Sequence, residues 1–263
     1  MGAAALAGRL VRADARRLPD AAGDATLAFH PAGGPLVVVC GLVGGAGAST
    51  LAYLLARRAA RHSSAPVLLA ELQEQAALAA LAGGGGPYAL RELARAVDQR
   101  RQVGRPFAEL PSGLRLVAST EPAICEPAPT GALARVLADA RATHGLVVVD
   151  AGPIGGADNA ALLRSASHIL YVLPTTPAAL RRAELLATGG LLHHGEALTA
   201  LVAVATRPGR RAEIKQLRRL AERHVERLLL VPHVPGLAAD DHADDTRLET
   251  TFVALATLLR RAH

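Results

Sequence analysis

Aromatic side chains are scarce in this chain. They make up 2% of it, and tryptophan is absent. Surfaces that hold single-stranded nucleic acid stack bases on aromatic rings, so that class of function is set aside. Cysteine is nearly absent too. Cys40 and Cys125 provide no disulfide framework, and Cys40 lies inside an apolar run, a pattern suited to a reducing cytoplasm. No apolar run reaches the roughly 18 residues that a membrane-spanning helix needs. Arg9, Arg12, Asp14, Arg16 and Arg17 interrupt the apolar residues near the start, which is not a secretory pattern. The expected location is therefore the cytoplasm, with the inner face of the plasma membrane as a peripheral site. Lysine is the most telling shortage. Lys215 is the only one, against many arginines, so almost every cationic task must fall to arginine or be left undone.

What is present describes a large apolar core. The 263 residues are 51% apolar, mostly Ala, Leu and Val, enough to bury a substantial interior. Nearly continuous apolar runs predict strands near 35–40, 66–71, 114–118, 145–150, 168–173, 199–205 and 227–231. Helical periodicity is read near 50–62, 88–99, 130–143, 157–166, 177–188, 211–225 and 246–262. Short buried strands alternating with helices imply a doubly wound α/β fold: a mostly parallel sheet of about seven strands, covered on both faces. Ligands of such sheets bind at the C-terminal ends of the strands. Residues 35–263 are read as one domain, preceded by an extension over residues 1–34. In that extension 3–18 suits an arginine-studded helix and 25–30 an edge strand. Gly83–Pro87 reads as a mobile connector, not a domain boundary, because the strand pattern continues past it.

The segment from Val37 to Thr50 is the chemical centre of the sequence. It reads as buried strand, glycine-rich turn and helix start, the layout of a phosphate-binding loop. Glycines let backbone N–H groups approach an anion closely. The helix that follows adds its N-terminal dipole. Gly44, Gly45, Ala46 and Gly47 form the cradle, and Ser49 stands where a hydroxyl ligates Mg²⁺. The lysine that normally reaches the terminal phosphates is replaced by Ala48. Removing one such electrostatic group typically costs about 10²–10³ in rate, so slow or absent hydrolysis is expected and no catalytic residue is assigned. Glu71 and Asp150 end two of the predicted strands and fall at the same edge as the loop.

Gly-Gly-Ala-Gly-Ala-Ser-Thr, followed by Leu51 to Ala56, resembles the deviant Walker A segment of the MinD/ParA ATPases. Its spelling is closest to the CpaE/TadZ branch, which serves Flp (Tad) pilus assembly and related secretion loci. The family's second, signature lysine would fall at Val43 and is absent. The resemblance runs from about Pro35 to the end of the chain. Pro66–Gln73 is similar to the strand ending in the family's Asp-x-Asp, with an acid kept at Glu71. Gly145–Pro153 resembles the Walker B strand, with Asp150 in the Mg²⁺ shell. Thr199–Arg207 resembles the strand ending in Asn-Arg near the base, with Thr206 in place of Asn. Val231–Pro235 resembles the proline turn that borders the adenine.

That likeness implies ATP and Mg²⁺ as cofactors. The nucleotide would contact Gly44, Gly45, Ala46, Gly47, Ala48, Ser49, Thr50, Thr206, Arg207 and Pro232, and the metal Ser49, Glu71 and Asp150. It implies a homodimer, with a secretion or pilus ATPase or an inner-membrane platform protein as partner. The alternatives are an active ParA/MinD-type ATPase that positions chromosomes or septa through DNA or membrane contact, and a nucleotide-free scaffold.

Other features have blander readings. The formal charge of +6 would suit weak contact with DNA or a membrane surface. The densest pairs, Arg210-Arg211 and Arg218-Arg219, read first as solvated helix faces. The segment Phe252–Arg261 is amphipathic with a basic end. It reads as a final helix packed on the sheet, with a membrane-surface helix as the alternative. His193-His194 and the acidic run Asp240–Asp245 carry metal-type side chains without zinc-like spacing. The acidic run reads as a helix cap or solvated loop.

Overall fold

The computed structural model describes residues 33–72, 76–121, 127–155, 157–192, 195–206, 211–234 and 246–260. Eight strands form one sheet: β1 (Leu36–Gly41), β2 (Val67–Glu71), β3 (Ala108–Glu109), β4 (Leu114–Val117), β5 (Leu146–Pro153), β6 (His168–Pro174), β7 (Leu198–Val204) and β8 (Arg227–Val231). Their order is β3-β4-β2-β5-β1-β6-β7-β8. Every pairing is parallel except that of β3 with β4. The helices are α1 (Ala48–His62), α2 (Ala77–Ala82), α3 (Leu90–Asp98), α4 (Thr130–Thr143), α5 (Ala157–Ser165), α6 (Pro177–Thr188), α7 (Arg211–His224) and α8 (Thr246–Leu259).

Alternation along β1 shows how the layers are built. Val37 and Val39 face one cluster with α1, α2 and α8. Leu36, Val38 and Cys40 face another with α3 to α7. A strand buried on both faces needs an unbroken apolar run, and all six residues of β1 are buried. The burial around Cys40 raises its thiol pKa to about 12, with the nearby Asp150 charge adding to the effect. The switch point lies between β5 and β6, which flank β1. Ligand crevices of doubly wound sheets open there.

The sequence reading requires three amendments. The sheet has an eighth strand, the antiparallel edge β3, whose two residues are too few to show a period. A short helix, α2, lies in the Ala-rich run before the glycines. The glycine run is pinned instead of mobile. Gly83 caps α2, Gly86 forms a parallel bridge with Ser119, and its N–H donates to the Ala118 carbonyl at 2.8 Å. A Cβ on Gly85 would lie 2.6 Å from that carbonyl oxygen. Here glycine serves close backbone approach.

The final helix is committed to the core. Leu248, Phe252, Leu255 and Leu259 of α8 are all buried in the cluster that includes α1. The sheet thus takes the apolar face that a membrane-surface reading would need. Among the described residues, no helix is long and apolar enough to cross a membrane. The expected elements at 3–18 and 25–30 lie outside the described residues, as do Cys125, His193-His194 and Asp240–Asp245.

Candidate functional site

The glycine loop leaves the sheet at Gly41 and is anchored on its first residue. Leu42 N–H donates to the Val172 carbonyl of β6 at 2.8 Å. Gly45 and Gly47 adopt φ of +67° and +86°, values that any side chain would oppose. Gly47 begins α1, and no side chain caps it. The first intrahelical bond runs from Leu51 N–H to the Gly47 carbonyl, at 2.9 Å. The preceding N–H groups of the first turn therefore have no carbonyl one turn back to bond, which is the arrangement that receives an anion. Gly44 and Gly45 are exposed, Ser49 and Thr50 half-buried.

Position 48 sits in apolar surroundings. Ala48 is buried, as is Ala46, and both belong to the apolar cluster beneath α1. The first arginines along α1 are Arg57 and Arg58, more than two turns further on. Arg58 pairs with Glu249 at 2.6 Å and lies over the Phe252 ring.

Asp150 meets the loop from β5. The register places it beside Glu71 of β2 on one side and Val39 of β1 on the other. Between Val39 and Cys40 the pairing slips, so that Cys40 faces Gly152 and Ala151 becomes the extra residue of a β-bulge. Such bulges re-aim side chains beside functional sites. The Asp150 carboxylate accepts the Gly152 N–H at 3.0 Å and is hydrogen-bonded by the Ser49 hydroxyl. Burial pushes its pKa up, against the Ser49 and Gly152 hydrogen bonds, which pull it down.

Glu71 is buried beside it, with one carboxylate oxygen accepting the Ala77 N–H at 3.0 Å. That bond ties the carboxylate to the start of α2. The sequence reading, which gave Glu71 to the metal, did not foresee this bond, because α2 itself was not foreseen. Ser49 and Asp150, with Glu71 adjacent, bring oxygen donors to the loop, a set that fits Mg²⁺. Among the described residues no group of three His, Cys, Asp or Glu could hold a metal.

A cavity of about 290 Å³ opens next to the loop. Gly47, Thr50, Thr206 and Pro232 border it, as does His233. Its walls are otherwise largely apolar: Leu51 and Leu54 from α1, Val204, Val231, and Leu248 and Phe252 from α8. A flat heteroaromatic base suits such a slot. Thr206 and Pro232, assigned to the nucleotide from sequence, do border this space, whereas Arg207 lies outside the described residues. Sequence reasoning missed the α8 wall. Phe252 was its available signal, one of only three phenylalanines, but the wall forms only when the last helix folds back over α1. Asn159 was missed as well. It is a buried amide directly after Asp158, and it donates to the Ala151 and Pro153 carbonyls.

The same overall fold recurs in solved structures. A ParA-family ATPase from Chlorobium tepidum superposes with a TM-score of 0.66 at 15% identity, covering 85% of this chain and 98% of its own. The fold is that of the ParA and MinD ATPases. The pNOB8 ParA bound to nonspecific DNA gives 0.62 at 13% identity, covering 87% and 98%. The MinC:MinD cell division complex of Aquifex aeolicus gives 0.59 at 12% identity, covering 86% and 94%. No protein-family model and no curated protein sequence matches the chain. At these identities the ParA/MinD likeness is one of fold.

Proposed function

We propose that this chain is a nucleotide-dependent positioning protein of the ParA/MinD kind that binds Mg-ATP and hydrolyses it slowly or not at all. The observation that carries the reading is the Ser49 hydroxyl bonded to Asp150 at the mouth of a glycine loop whose lysine position is the buried Ala48. The loop N–H groups and the α1 N-terminus hold phosphate oxygens. Ser49 and Asp150 hold the metal, with Glu71 behind them, and Thr50 adds a hydroxyl to the phosphates. The slot between Thr206, Pro232 and Phe252 takes the base. When bound, Mg²⁺ supplies charge neutralisation across the phosphates. Without a lysine the terminal phosphate lacks the group that stabilises its transfer. Nucleotide occupancy, favouring a homodimer, then acts by shifting populations between partner-bound states.

The spelling of Gly44–Thr50 supports a secretion or Flp/Tad pilus machine as the cargo, its ATPase or inner-membrane platform being the partner. A second reading, an active ATPase that positions cargo over DNA, draws on the exposed Arg218 and Arg219 of α7 and on a neighbour that binds nonspecific DNA.

Melting of the full chain with and without Mg-ATP tests the proposal, with phosphate release measured in parallel. The proposal expects a stability gain of about 2.7 kcal/mol at 100 times the dissociation constant, lost in Gly47→Arg, with little phosphate released. Turnover stimulated by DNA would favour the second reading. No shift at millimolar ATP would overturn both and leave a nucleotide-free scaffold.

A further inference from the structure

Asp150 is held by a relay that begins outside the loop and the strand ends. The peptide joining Ala151 to Gly152 has its N–H on the Asp150 carboxylate, at 3.0 Å. The carbonyl of that same peptide accepts a hydrogen bond from the Asn159 side-chain amide at 3.2 Å. The second amide hydrogen of Asn159 goes to the Pro153 carbonyl, at 3.0 Å. Two carbonyl acceptors fix the amide with its NH₂ toward the turn. Asn159 is 2% exposed, so water cannot substitute. The turn it grips contains the bulged residue Ala151 and Gly152 at φ +66°, at the point where the pairing of β5 with β1 shifts register. Hydrogen bonds in series through one peptide reinforce each other.

The helix that presents Asn159 is itself anchored. Asp158, the preceding residue, is 5% exposed. It forms an ion pair with Arg91 of α3 at 2.7 Å and accepts the Ala128 N–H at 3.4 Å. On the far side Ile154 N–H donates to the Gly41 carbonyl at 2.9 Å, joining the turn to the root of the glycine loop. Asn159 therefore sits between a rigid anchor and the one peptide that aims the Asp150 carboxylate at Ser49.

We propose that Asn159 is a positioning residue: its amide fixes the Ala151–Gly152 peptide, and through it the Asp150 carboxylate, in the orientation that pairs with Ser49. The role in metal binding rests on the nucleotide reading above, while the positioning itself does not.

Two measurements on the full chain separate them. The first needs no ligand: amide hydrogen exchange of Gly152, compared with that of Leu72, whose N–H is bonded to the Asp150 main-chain carbonyl at 2.9 Å. In Asn159→Ala the Gly152 amide exchanges about tenfold faster and the Leu72 amide is unchanged, the effect of releasing about one hydrogen bond. Asn159→Ser, which keeps one donor, gives an intermediate rate. The second is ATP affinity with Mg²⁺ and with EDTA. Asn159→Ala weakens the Mg²⁺-supported affinity about tenfold and leaves the metal-free affinity as it was. An unchanged Gly152 amide in a folded Asn159→Ala protein overturns the positioning, as does equal acceleration at Gly152 and Leu72. Equal loss with Mg²⁺ and with EDTA overturns the link to the metal. A wild-type chain that binds no ATP overturns the nucleotide reading alone, and the exchange result still decides the positioning.

Discussion

Asp150→Asn will stabilise the ligand-free protein and destabilise the nucleotide complex relative to wild type. Asp150 is 2% exposed, and burial holds its pKa above the ordinary carboxylate range. The native state therefore binds its proton more tightly than the unfolded chain does. Such a group contributes stability that is complete below the unfolded-state pKa and lost as pH rises through the folded one. At neutral pH the carboxylate is a net cost, and asparagine removes it while keeping an oxygen for the Gly152 N–H. A functional-site relief of this kind is worth about 1 kcal/mol, or about 2–4 °C in a domain of this size. Mg-ATP at 100 times its dissociation constant adds about 2.7 kcal/mol to wild type. Truncating one partner of a buried charged contact costs at least about 2 kcal/mol. Taken as a hundredfold loss of affinity, that cuts the variant's gain from the same ligand to about 0.4 kcal/mol. The order of melting temperatures therefore reverses: the variant melts higher alone, and wild type melts higher by about 1.3 kcal/mol with ligand. The apo advantage shrinks as pH falls through the Asp150 titration, because both side chains are then neutral. Scanning calorimetry at several pH values reads all three features. A variant less stable than wild type without ligand at neutral pH would refute the reasoning.

Gly85→Ala and Gly84→Ala form a matched pair. The first drives a Cβ to 2.6 Å from a backbone oxygen, whereas nothing lies within 4 Å of the second. Overpacking should cost Gly85→Ala about 1–3 kcal/mol and leave Gly84→Ala neutral or slightly stabilised, as read from urea midpoints. His144 adds a pH dependence at the opposite end of β5. It is buried, its Nδ1 is 2.9 Å from the Ala140 carbonyl and its Nε2 is 3.3 Å from the Arg115 guanidinium. Burial lowers its pKa, assisted by the Arg115 charge and opposed by the Ala140 carbonyl. The unfolded chain takes up the proton first, so stability is full above the unfolded histidine pKa and falls as pH drops below it. His144→Gln should flatten that decline in melting temperature, and an unaltered slope would show that other groups cause it.

The sheet was largely legible because its strands are buried on both faces. The runs at 145–150 and 168–173 are ones that no amphipathic helix would contain; β6 matches within one residue, and β5 continues three residues further, to Pro153. The loop and Asp150 were legible for a related reason: glycines and a lone acid at a strand end are visible against an apolar background. Elements whose order comes from tertiary contact were not. The edge strand β3 exists only because Ala108 and Glu109 meet Leu116 and Arg115. Gly83–Gly86 has the composition of a linker, and nothing in the local sequence reports that Ala118 lies against it. The cavity beside the loop is similar, being closed by Leu248 and Phe252 from nearly 200 residues along the chain from Leu51 and Leu54.

Ala48 and Asn159 together suggest how this site divides its tasks. If the proposed nucleotide binds, a lysine at position 48 would neutralise phosphate charge directly, and its absence would leave that to the metal and to backbone N–H groups. On that reading a cradle without its cation would depend more heavily on how its oxygen donors are oriented, Asp150 among them, because no lysine charge offsets a misaimed carboxylate. The chain meets that demand with buried geometry: a bulge at Ala151, an amide bridging two carbonyls, and an ion pair that fixes the helix bearing the amide. None of these groups adds charge at the phosphates, and all of them restrict motion. That combination is coherent for a protein whose output is occupancy, because holding a metal-bound nucleotide requires alignment in the ground state, while fast hydrolysis requires charge that appears only in the transition state. Ala48→Lys separates the two demands. If alignment is already supplied, the added cation will raise phosphate release while Mg-ATP affinity in the Asn159→Ala background stays low. Restored affinity in that background would mean that charge, not alignment, limits the site.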